Sequence, residues 1–514
     1  MNLAEILKLK FKKYSEKEAV IFEGRRLTYG QLEKITSGIA CLLDKIGIKK
    51  GDRVAVQLAK CPEIACFHIG CLAADAVVIH INDAYKQDEV AYLLKDSGAA
   101  LFITDYPNYI KSKEALHQAA NLQIMTIDNR IEDLLFYPEE LDRVDISTPV
   151  FAAGDDDPAV ILYTSGTTGE SKGAVISHSA LIANMKDLHN LWRLSSRDIS
   201  LHTLPLVHGH GLLLAFQGAL YAGATTIMHK KFDPEQVWKT IADKKCTLFM
   251  GVPTMYQRLL DTWKEMPQNP DIGSMRLFTC GSAPLSKDLF YGFRDSTGYT
   301  ILERYGLTET LVIASNPYES GLRKPGSVGF PLPRIAVRII GSKNRAVNPG
   351  ETGEVCVKGD YLFNGYRHDP EKTEESFTGE WFKSGDLGYQ DPDDNCRLFL
   401  VGRAGEMIIS GGYNVYPKEV ETRLERHNGV MEAAVIPSPD RDLGEMVVAA
   451  VVKKTGSEVD EHDLKEFCKK DLAGYKCPKK IIFLSSLPRN NMGKILKEKI
   501  KKMTTGGQIS IVDR

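Results

Sequence analysis

One run of small, hydroxyl-bearing and glycine residues that ends in Lys-Gly constrains this chain more than any other stretch. The run, Thr164–Gly173, follows an apolar segment, Ala159–Tyr163, whose pattern predicts a buried strand. Glycines let the backbone approach an anion closely, while backbone N–H groups, hydroxyls and an ammonium all donate hydrogen bonds to phosphate oxygens. The sequence therefore predicts a loop that holds nucleotide phosphates. It is not the common P-loop, because no Gly-Lys-Ser/Thr follows Gly169. The alternative is a flexible turn, since turns use the same residue types.

Length and composition predict several folded units of an ordinary globular kind. At 514 residues the chain is too long for one core, so we expect two to four compact units. Apolar residues make up 43% and charged residues 26%, which is typical of soluble proteins. The formal charge of -2 provides no strong field for nucleic acid, so no nucleic-acid partner is expected.

The N-terminus and the cysteines indicate a cytoplasmic protein. Met1–Lys8 lacks the basic head and apolar run of a signal peptide and predicts a short amphipathic helix. The longest apolar stretch, Cys71–Ile81, is interrupted by Asp75 and is too short to cross a bilayer, so we expect no transmembrane segment. The ten cysteines show no metal-ligand or redox spacing, which favours free thiols in a reducing compartment.

Alternating strand and helix patterns predict layered α/β subdomains over the first part of the chain. Thr28 is placed to cap a helix that follows it. Further apolar runs predict strands within Gly51–Leu58, Gly223–His229, Thr247–Gly251 and Met275–Cys280.

After about residue 320 the pattern changes to short alternating runs between glycines and prolines. Val337–Ile340, Gly353–Val357 and Cys396–Leu400 predict antiparallel strands, which we expect to form a small β-barrel. The polar, glycine-bearing segment Val401–Glu406 predicts a boundary, and a small α+β unit follows it. The predicted division is a large unit of residues 1–403 and a small unit of residues 404–514.

Four further motifs add groups suited to a nucleotide. The first motif combines an aromatic ring with a hydroxyl and a carboxylate, and the second has a carboxylate in a tight turn. The third adds an arginine, and the fourth ends in a lysine after a glycine. They are Tyr305–Glu309, Trp381–Gly388, Gly402–Arg403 and Pro488–Lys494. Each alone has an ordinary structural explanation, such as a turn cap or a solvated helix face.

Together with the first loop, these motifs resemble the adenylate-forming superfamily of acyl-CoA synthetases, luciferases and adenylation domains. The resemblance runs from Leu27 to Lys494 and implies a large N-terminal part and a small mobile C-terminal lid, joined by a hinge near 403–406. It implies that a carboxylate attacks ATP to give acyl-AMP and pyrophosphate, after which coenzyme A gives acyl-CoA and AMP. ATP, Mg²⁺ and coenzyme A are the implied cofactors and co-substrates.

The resemblance also implies site residues. The nucleotide and coenzyme A residues would be Thr164, Ser165, Gly166, Thr167, Thr168, Gly169 and Lys172 on the β- and γ-phosphates, Gly281, Ser282, Ala283, Glu303 and Tyr305 around the base, Asp386 and Arg403 on the ribose, and Gly411 and Gly412 beside the pantetheine channel. The catalytic residues would be Lys494 on the carboxylate and α-phosphate, His208 beside the reacting carboxylate, Thr308 on the phosphates and Glu309 on Mg²⁺.

Two segments depart from the superfamily pattern. Glu170 and Ser171 stand where Lys-Pro is usual, and both precede Lys172, so we expect the loop to function. Gly405 and Glu406 stand where Lys-Asp is usual at the hinge, and the glycine should make a swivel easier.

The acid substrate depends on Arg304, which directly precedes Tyr305 next to the expected acyl pocket. A buried arginine without a partner costs several kcal/mol, and a second carboxylate on the substrate would supply that partner. The chain is most similar to malonyl-CoA synthetases, which implies that Arg258, Ser282 and Arg304 hold a distal carboxylate, although Val207 replaces a usual aromatic. We expect malonate or methylmalonate.

Two alternative functions remain open at this point. A fatty-acyl-CoA synthetase would need an apolar tunnel, and an acyl-adenylate ligase would load a carrier protein instead of coenzyme A. The oligomeric state is also open, and a homodimer is among the alternatives.

Overall fold

A computed structural model describes residues 2–116, 122–146, 152–164, 171–341, 345–410, 413–490 and 493–505. Its helices are α1 Leu3–Lys13, α2 Tyr29–Lys45, α3 Pro62–Ala73, α4 Gln87–Ser97, α5 Tyr106–Leu116, α6 Tyr137–Asp142, α7 His178–Leu191, α8 Gly218–Ala222, α9 Pro234–Lys244, α10 Pro253–Glu265, α11 Lys287–Thr297, α12 Pro370–Glu375, α13 Pro417–Glu425, α14 Glu461–Lys469 and α15 Lys497–Thr505. A π-helix spans His210–Gln217, and 3₁₀ turns span Ser320–Leu322 and Ala404–Glu406.

The strands are β1 Glu18–Phe22, β2 Arg25–Thr28, β3 Arg53–Gln57, β4 Val77–His80, β5 Leu101–Thr104, β6 Gln123–Thr126, β7 Leu135–Phe136, β8 Pro158–Thr164, β9 Lys172–Ser177, β10 Ile199–His202, β11 Thr225–Met228, β12 Leu248–Gly251, β13 Leu277–Cys280, β14 Ile301–Leu307, β15 Leu311–Ser315, β16 Ser327–Pro331, β17 Ile335–Ile340, β18 Gly353–Gly359, β19 Gly365–Tyr366, β20 Phe377–Thr378, β21 Trp381–Asp391, β22 Arg397–Arg403, β23 Ile408–Ser410, β24 Tyr413–Val415, β25 Val430–Asp440, β26 Gly444–Lys453 and β27 Lys480–Phe483.

An eight-stranded sheet carries the base of the predicted phosphate loop. Its order is β19-β9-β8-β4-β3-β5-β6-β7, with parallel pairing through its centre and an antiparallel β8–β9 hairpin at one side. The strands β3, β4 and β5 are almost wholly buried, and β8 is buried from Ala159 to Leu162, as expected for parallel strands covered by helices on both faces. Thr28 caps α2 with a complete capping box, which confirms its predicted role.

A second sheet of 14 strands holds most of the other predicted site residues. Strands β1, β11, β10, β12, β13 and β14 pair in parallel, and the predicted strands near 223–229, 247–251 and 275–280 are confirmed as β11, β12 and β13. The sheet continues through β15, β16, β22, β21, β18 and β17, which are antiparallel.

The antiparallel strands predicted after residue 320 are present, but their ladders extend the large sheet. Among the described strand pairings, β17 pairs with β18 and is the last strand of the sheet. These strands therefore do not close into a separate barrel. The reason is that β16 pairs with β15 on one side and with β22 on the other, which joins these strands to the parallel sheet. Alternation in the sequence could not indicate this join.

A five-stranded sheet, formed by β23 to β27, follows the 3₁₀ turn at Ala404–Glu406. It has its own core, which includes Val420, Leu424, Val435, Ala449 and Val451. The layered α/β fold with a small α+β C-terminal unit confirms the predicted fold class. In the described part of the chain, no helix is long and apolar enough to cross a membrane.

Candidate active site

The β8–β9 hairpin holds the two ends of the phosphate loop together. Thr164 and Lys172 are paired in its register, and the Thr164 hydroxyl donates a hydrogen bond of 3.5 Å to the Lys172 carbonyl. The predicted residues Ser165, Gly166, Thr167, Thr168 and Gly169 lie outside the described residues, as do Gly411 and Gly412 of the predicted pantetheine turn.

Lys172 and Glu309 both contact the side chain of Tyr366. The two-residue strand β19 pairs with β9, and this places the Tyr366 ring 5.7 Å from Lys172 Nζ. The Tyr366 hydroxyl donates a hydrogen bond of 2.8 Å to Oε1 of Glu309. Lys172 also pairs with Asp369, with 3.2 Å between Nζ and Oδ2. An ammonium and a carboxylate are thus brought together beside the loop.

Glu309 fits a magnesium ion that is shared with phosphates. Among the described residues, no group of three or more His, Cys, Asp or Glu side chains could hold a metal by itself. Magnesium in nucleotide sites needs only one or two carboxylates, because phosphate oxygens and water complete its shell. Thr308 lies in the turn directly before Glu309, at the end of β14.

Tyr305, Asp386 and Arg403 form a connected group at the junction of β14, β21 and β22. The Tyr305 hydroxyl donates a hydrogen bond of 2.5 Å to Oδ2 of Asp386, and Arg403 Nε lies 2.7 Å from Oδ1. Burial raises the pKa of Asp386, although Arg403 and Tyr305 oppose that shift. The paired register of Asp386 and Arg403 explains why residues 17 positions apart converge.

Lys494 approaches this group from the C-terminal unit. Burial lowers its pKa, as does the nearby charge of Arg403, while Glu406 and Asp386 raise it. The preceding Gly493 lies against α10, where an added Cβ would sit 2.9 Å from Thr254 Oγ1. The loop that carries Lys494 therefore lies against α10, close to Asp386 and Arg403.

The predicted hinge is held on both sides by ion pairs. Arg403 is bound to Asp386, and Glu406 lies 2.9 Å from Lys497 Nζ. Lys497 also lies 2.7 Å from Oε1 of the buried Glu421 on α13. The hinge and the domain boundary remain predictions.

Arg304 is buried with only 6% of its surface exposed. Its Nε and Nη2 atoms have no hydrogen-bond partner among the described residues. Burial lowers the pKa of Arg304 to about 10. Its guanidinium lies against Gly281, where an added Cβ would be 2.5 Å from Cζ. Among the described residues, these two atoms of Arg304 thus lack a partner, and the predicted role of Arg304 in binding the acid stays a prediction.

Glu303 faces away from Arg304, as neighbours on a strand do. Its Oε1 accepts a hydrogen bond of 2.9 Å from the Leu285 backbone, and burial raises its pKa to about 8. Ala283 lies on the same loop, between β13 and α11. The C-terminal Lys418 acts on Glu303 electrostatically. Glu303 therefore lies near the C-terminal unit as well as near the predicted base site.

A group of histidines lies beside Arg304. His210 Nδ1 is 3.1 Å from the Ser282 hydroxyl, and Arg304, His202 and His208 all act on His210 electrostatically. His208 is largely buried, and its Nε2 has no hydrogen-bond partner among the described residues. Burial lowers the pKa of both His208 and His210, so both are neutral at pH 7.

Arg258 differs from Arg304 in its surroundings. It is exposed on α10, one turn after Thr254. Helical spacing places it on the face of α10 that meets the Lys494 loop. Nothing about its burial demands an anionic partner, so its predicted role in substrate binding depends on its position alone.

Sequence reasoning missed Tyr366, Asp369, His210 and Lys497. Tyr366 is 57 positions from Glu309, and long-range contacts bring them together: β19 pairs with β9, and the Phe363 N–H donates a hydrogen bond of 2.8 Å to the Glu309 carbonyl. His210 could have been noticed, because it follows His208 in the same short polar run. Lys497 belongs to a basic run that resembles a solvated helix face.

Comparison with known proteins agrees with the motifs and the geometry. The AMP-binding enzyme family matches residues 7–367, and the AMP-binding enzyme C-terminal domain matches residues 419–494. The chain belongs to the AMP-binding enzyme family. It is an AMP-forming acid–thiol ligase, an acyl-CoA synthetase that uses ATP and coenzyme A.

Relatives cover the chain almost end to end. A malonate–CoA ligase of Arabidopsis thaliana is 31% identical over 98% of this chain and 89% of its own length. A long-chain-fatty-acid–CoA ligase of Bacillus subtilis is 31% identical over 98% of this chain and 95% of its own length. The crystal structure of ATP-bound MatB from Rhodopseudomonas palustris is 35% identical, with a TM-score of 0.91 over 98% of this chain and 99% of that one. Other relatives are named for oxalate, sulfoacetate and feruloyl substrates.

Proposed function

We propose that this acyl-CoA synthetase activates a small acid that carries a second anionic group, with malonate or methylmalonate as its substrate. The observation that carries the proposal is the buried guanidinium of Arg304, whose Nε and Nη2 lack partners. A buried charge is expensive unless it is paired, and a bidentate carboxylate matches the guanidinium fork. A substrate anion would complete this pair.

The charges around Arg304 support an anionic ligand. The groups that shift its pKa are Cys280 and Tyr256, neither of which is a carboxylate. Burial raises the pKa of both groups far above neutrality, so both are uncharged at pH 7. The names of the malonate, oxalate and sulfoacetate relatives specify acids with two anionic groups, while the fatty-acid and feruloyl relatives provide the alternative.

The roles proposed for the nucleotide site follow from the contacts already described. Lys172 and Glu309 would hold the β- and γ-phosphates together with Mg²⁺, which supplies positive charge to the leaving pyrophosphate when bound. Tyr305 would stack on the base, and Asp386 would accept hydrogen bonds from the ribose. Lys494 would stabilise charge on the α-phosphate as the carboxylate attacks.

The second half-reaction needs the same cleft to admit a thiol. We propose that the C-terminal unit acts as a lid that turns about the hinge near 403–406 after the acyl-adenylate forms. His208 would remain beside the reacting carboxylate in the first step. We further propose a cytoplasmic location, which is consistent with ten cysteines that form no disulfide.

A panel of acids tests the substrate proposal. The protein is incubated with ATP, Mg²⁺ and coenzyme A, and with acetate, malonate, methylmalonate, octanoate or palmitate, and thioesters are identified by mass. We expect malonyl or methylmalonyl thioester to dominate. Arg304→Leu should abolish that product and leave ATP binding intact, whereas the exposed Arg294, paired with Asp295, provides a matched control as Arg294→Leu.

Two outcomes would reject the substrate class or the acceptor. Full malonate turnover by Arg304→Leu would show that Arg304 does not bind the second anionic group. Pyrophosphate release without any coenzyme A thioester would favour a carrier protein as the thiol acceptor. Dominant octanoyl or palmitoyl thioester would favour the fatty-acid alternative.

A further inference from the structure

We infer that His210 is a specificity-determining residue, which acts with Ser282 as one hydrogen-bonding unit to bind the second anionic group of the acid beside Arg304. The inference rests on the proposed substrate class and extends it to a residue that the sequence did not single out. Four features of the described residues support it.

The first feature is the position of His210 in the fold. It opens the π-helix His210–Gln217, and π-helical turns are rare in proteins and frequently occur at functional sites. The next residue, Gly211, lies so close to the Pro205 carbonyl that an added Cβ would be 1.9 Å from its oxygen. His202 Nε2 also lies 2.9 Å from the Gly211 carbonyl oxygen. These contacts hold the start of the π-helix in place, and His210 is buried there, with 7% of its surface exposed.

The second feature is the backbone of Ser282. Its φ is 70°, in the left-handed region that favours glycine. A non-glycine residue there costs about 1 kcal/mol or more, so the hydroxyl is retained at the expense of stability. That hydroxyl lies 3.1 Å from His210 Nδ1.

The third feature is the hydrogen that this pair can offer. His210 is neutral at pH 7, because burial lowers its pKa well below 6.5. If Nδ1 carries the proton, it donates to Ser282, and the Ser282 hydroxyl hydrogen is free for a ligand. If Nε2 carries the proton, Ser282 donates to Nδ1, and the Nε2–H group is free instead. In both tautomers the pair offers one donor, which suits an anionic oxygen that only accepts.

The fourth feature is the set of unsatisfied groups. Nε2 of His210 has no hydrogen-bond partner among the described residues, like Nε and Nη2 of Arg304. Buried polar groups in folded proteins normally have partners, so three such atoms in one group indicate a ligand. The charged or titratable groups that act on His210 are Arg304, His202 and His208, none of them acidic. The group is built to receive negative charge.

The experiment compares two acids that differ in the second anionic group. Kinetics of thioester formation are measured with malonate and with propionate for the wild type, His210→Leu, His210→Asn, Ser282→Gly and the double variant His210→Leu/Ser282→Gly. Asparagine can place an amide near the position of Nδ1, so it keeps a partner for Ser282. Glycine suits the φ of 70° and removes only the hydroxyl. Thermal midpoints and the KM for ATP are recorded for each variant.

We expect His210→Leu to raise the KM for malonate by about 10- to 100-fold, the usual effect of losing a hydrogen bond to a charged group. The KM for ATP and the activity with propionate should change less than about threefold. His210→Asn should recover at least about half of the loss on a logarithmic scale. Ser282→Gly should raise the malonate KM without lowering the thermal midpoint, and the double variant should lose no more than the worse single variant.

Two results would overturn the inference alone: a malonate KM for His210→Leu equal to that of the wild type, or equal losses with malonate and propionate. Fully additive losses in the double variant would also overturn it, since the two residues would then act separately. A different result would reject the proposed substrate class: the wild-type protein forms no thioester from malonate, methylmalonate or another acid with two anionic groups.

Discussion

The Tyr305 hydroxyl donates a hydrogen bond of 2.5 Å to Asp386, and Arg403 lies 2.7 Å from the other oxygen of the same carboxylate. The side chain proposed for the base and the side chain proposed for the ribose therefore form one unit. Asp386 is buried, and its orientation is fixed by these two neighbours. Nucleotide affinity should depend on this arrangement.

Tyr305→Phe tests that dependence. The change keeps the ring and removes the hydroxyl, so Asp386 keeps Arg403 and becomes freer to rotate. We expect the KM for ATP to rise by about 10-fold, the effect of losing one hydrogen bond to a charged group. Tyr389→Phe is the control and should change nothing: Tyr389 is a partly buried tyrosine in β21, the strand of Asp386, and its ring stacks on Phe399 of β22. An unchanged KM for ATP in Tyr305→Phe would contradict the prediction.

Gly281→Ala should impair acid binding before it impairs nucleotide binding. An added Cβ would lie 2.5 Å from Cζ of Arg304, and a buried guanidinium has little room to move aside. We expect the KM for the acid to rise by about 10-fold or more, with a smaller change for ATP. Steady-state kinetics with each substrate varied in turn will show the difference. Gly292→Ala on α11 is a milder control, because its added Cβ would meet only Leu260 Cδ2, at 3.2 Å. Equal losses for both substrates would show that the change disturbs the whole cleft.

Loss of the Lys494 proton should slow adenylation at alkaline pH. Burial lowers its pKa from the usual 10.5, and Arg403 lowers it further. The ammonium is therefore lost, and pyrophosphate release should fall, at a lower pH than for a lysine with the usual pKa of 10.5. Lys494→Arg keeps the charge at all accessible pH values, so the alkaline fall should disappear even though the rate is lower. Lys494→Ala should lose about 100-fold or more in adenylation and still form thioester from a preformed acyl-adenylate.

A pH profile of pyrophosphate release from pH 7 to 10.5 checks this assignment. If Lys494→Arg shows the same alkaline fall as the wild type, another group is responsible. Lys499→Arg, in the exposed part of the same basic run, serves as the control.

The buried pair His68 and His80 should make the protein sensitive to acid. Burial lowers the pKa of His68 to about 4 and that of His80 well below 6.5, and the two rings are 3.1 Å apart at Nδ1 and Nε2. In the unfolded chain both histidines take up a proton near pH 6.5, whereas in the folded chain they take it up only at lower pH. Stability is therefore full above about pH 6.5 and is lost as pH falls toward about 4. At pH 5 His68 alone lowers the free energy of unfolding by about 2 kcal/mol, and His80 adds to the loss in the same direction.

Urea unfolding at pH 7, 6 and 5 measures this loss. His68→Gln, which can still bond Gln217, should show a shallower decline of the midpoint with acid than the wild type. The exposed His462 offers a control, since His462→Gln should leave the decline unchanged. A decline in His68→Gln as steep as that of the wild type would assign the sensitivity to other groups.

Local sequence patterns predicted those parts of the fold that depend on neighbouring residues. The strands β11, β12 and β13 follow from apolar runs, and the start of α2 follows from Thr28, because burial and capping act over a few residues. Motif order also indicated the family, and the AMP-binding enzyme match confirms it.

Features that depend on distant contacts could not be predicted in the same way. The two-residue strand β19 has no pattern of its own, yet its pairing with β9 places Tyr366 between Lys172 and Glu309. The exposure of Arg258 depends on which face of α10 packs on the sheet. Lys497 appears in a basic run, and only the folded C-terminal unit places it between Glu406 and Glu421.

The antiparallel pairing of Thr164 with Lys172 has a consequence for the entropy of nucleotide binding. Closing a loop costs conformational entropy, and in this protein the β8–β9 ladder closes it when the chain folds. In the role proposed for this loop, ATP would meet a segment whose two ends are already fixed, so less conformational freedom would be lost on binding. A change that weakens the ladder at this end, far from any phosphate, should appear as a more unfavourable entropy of ATP binding in calorimetry, with little change in its enthalpy.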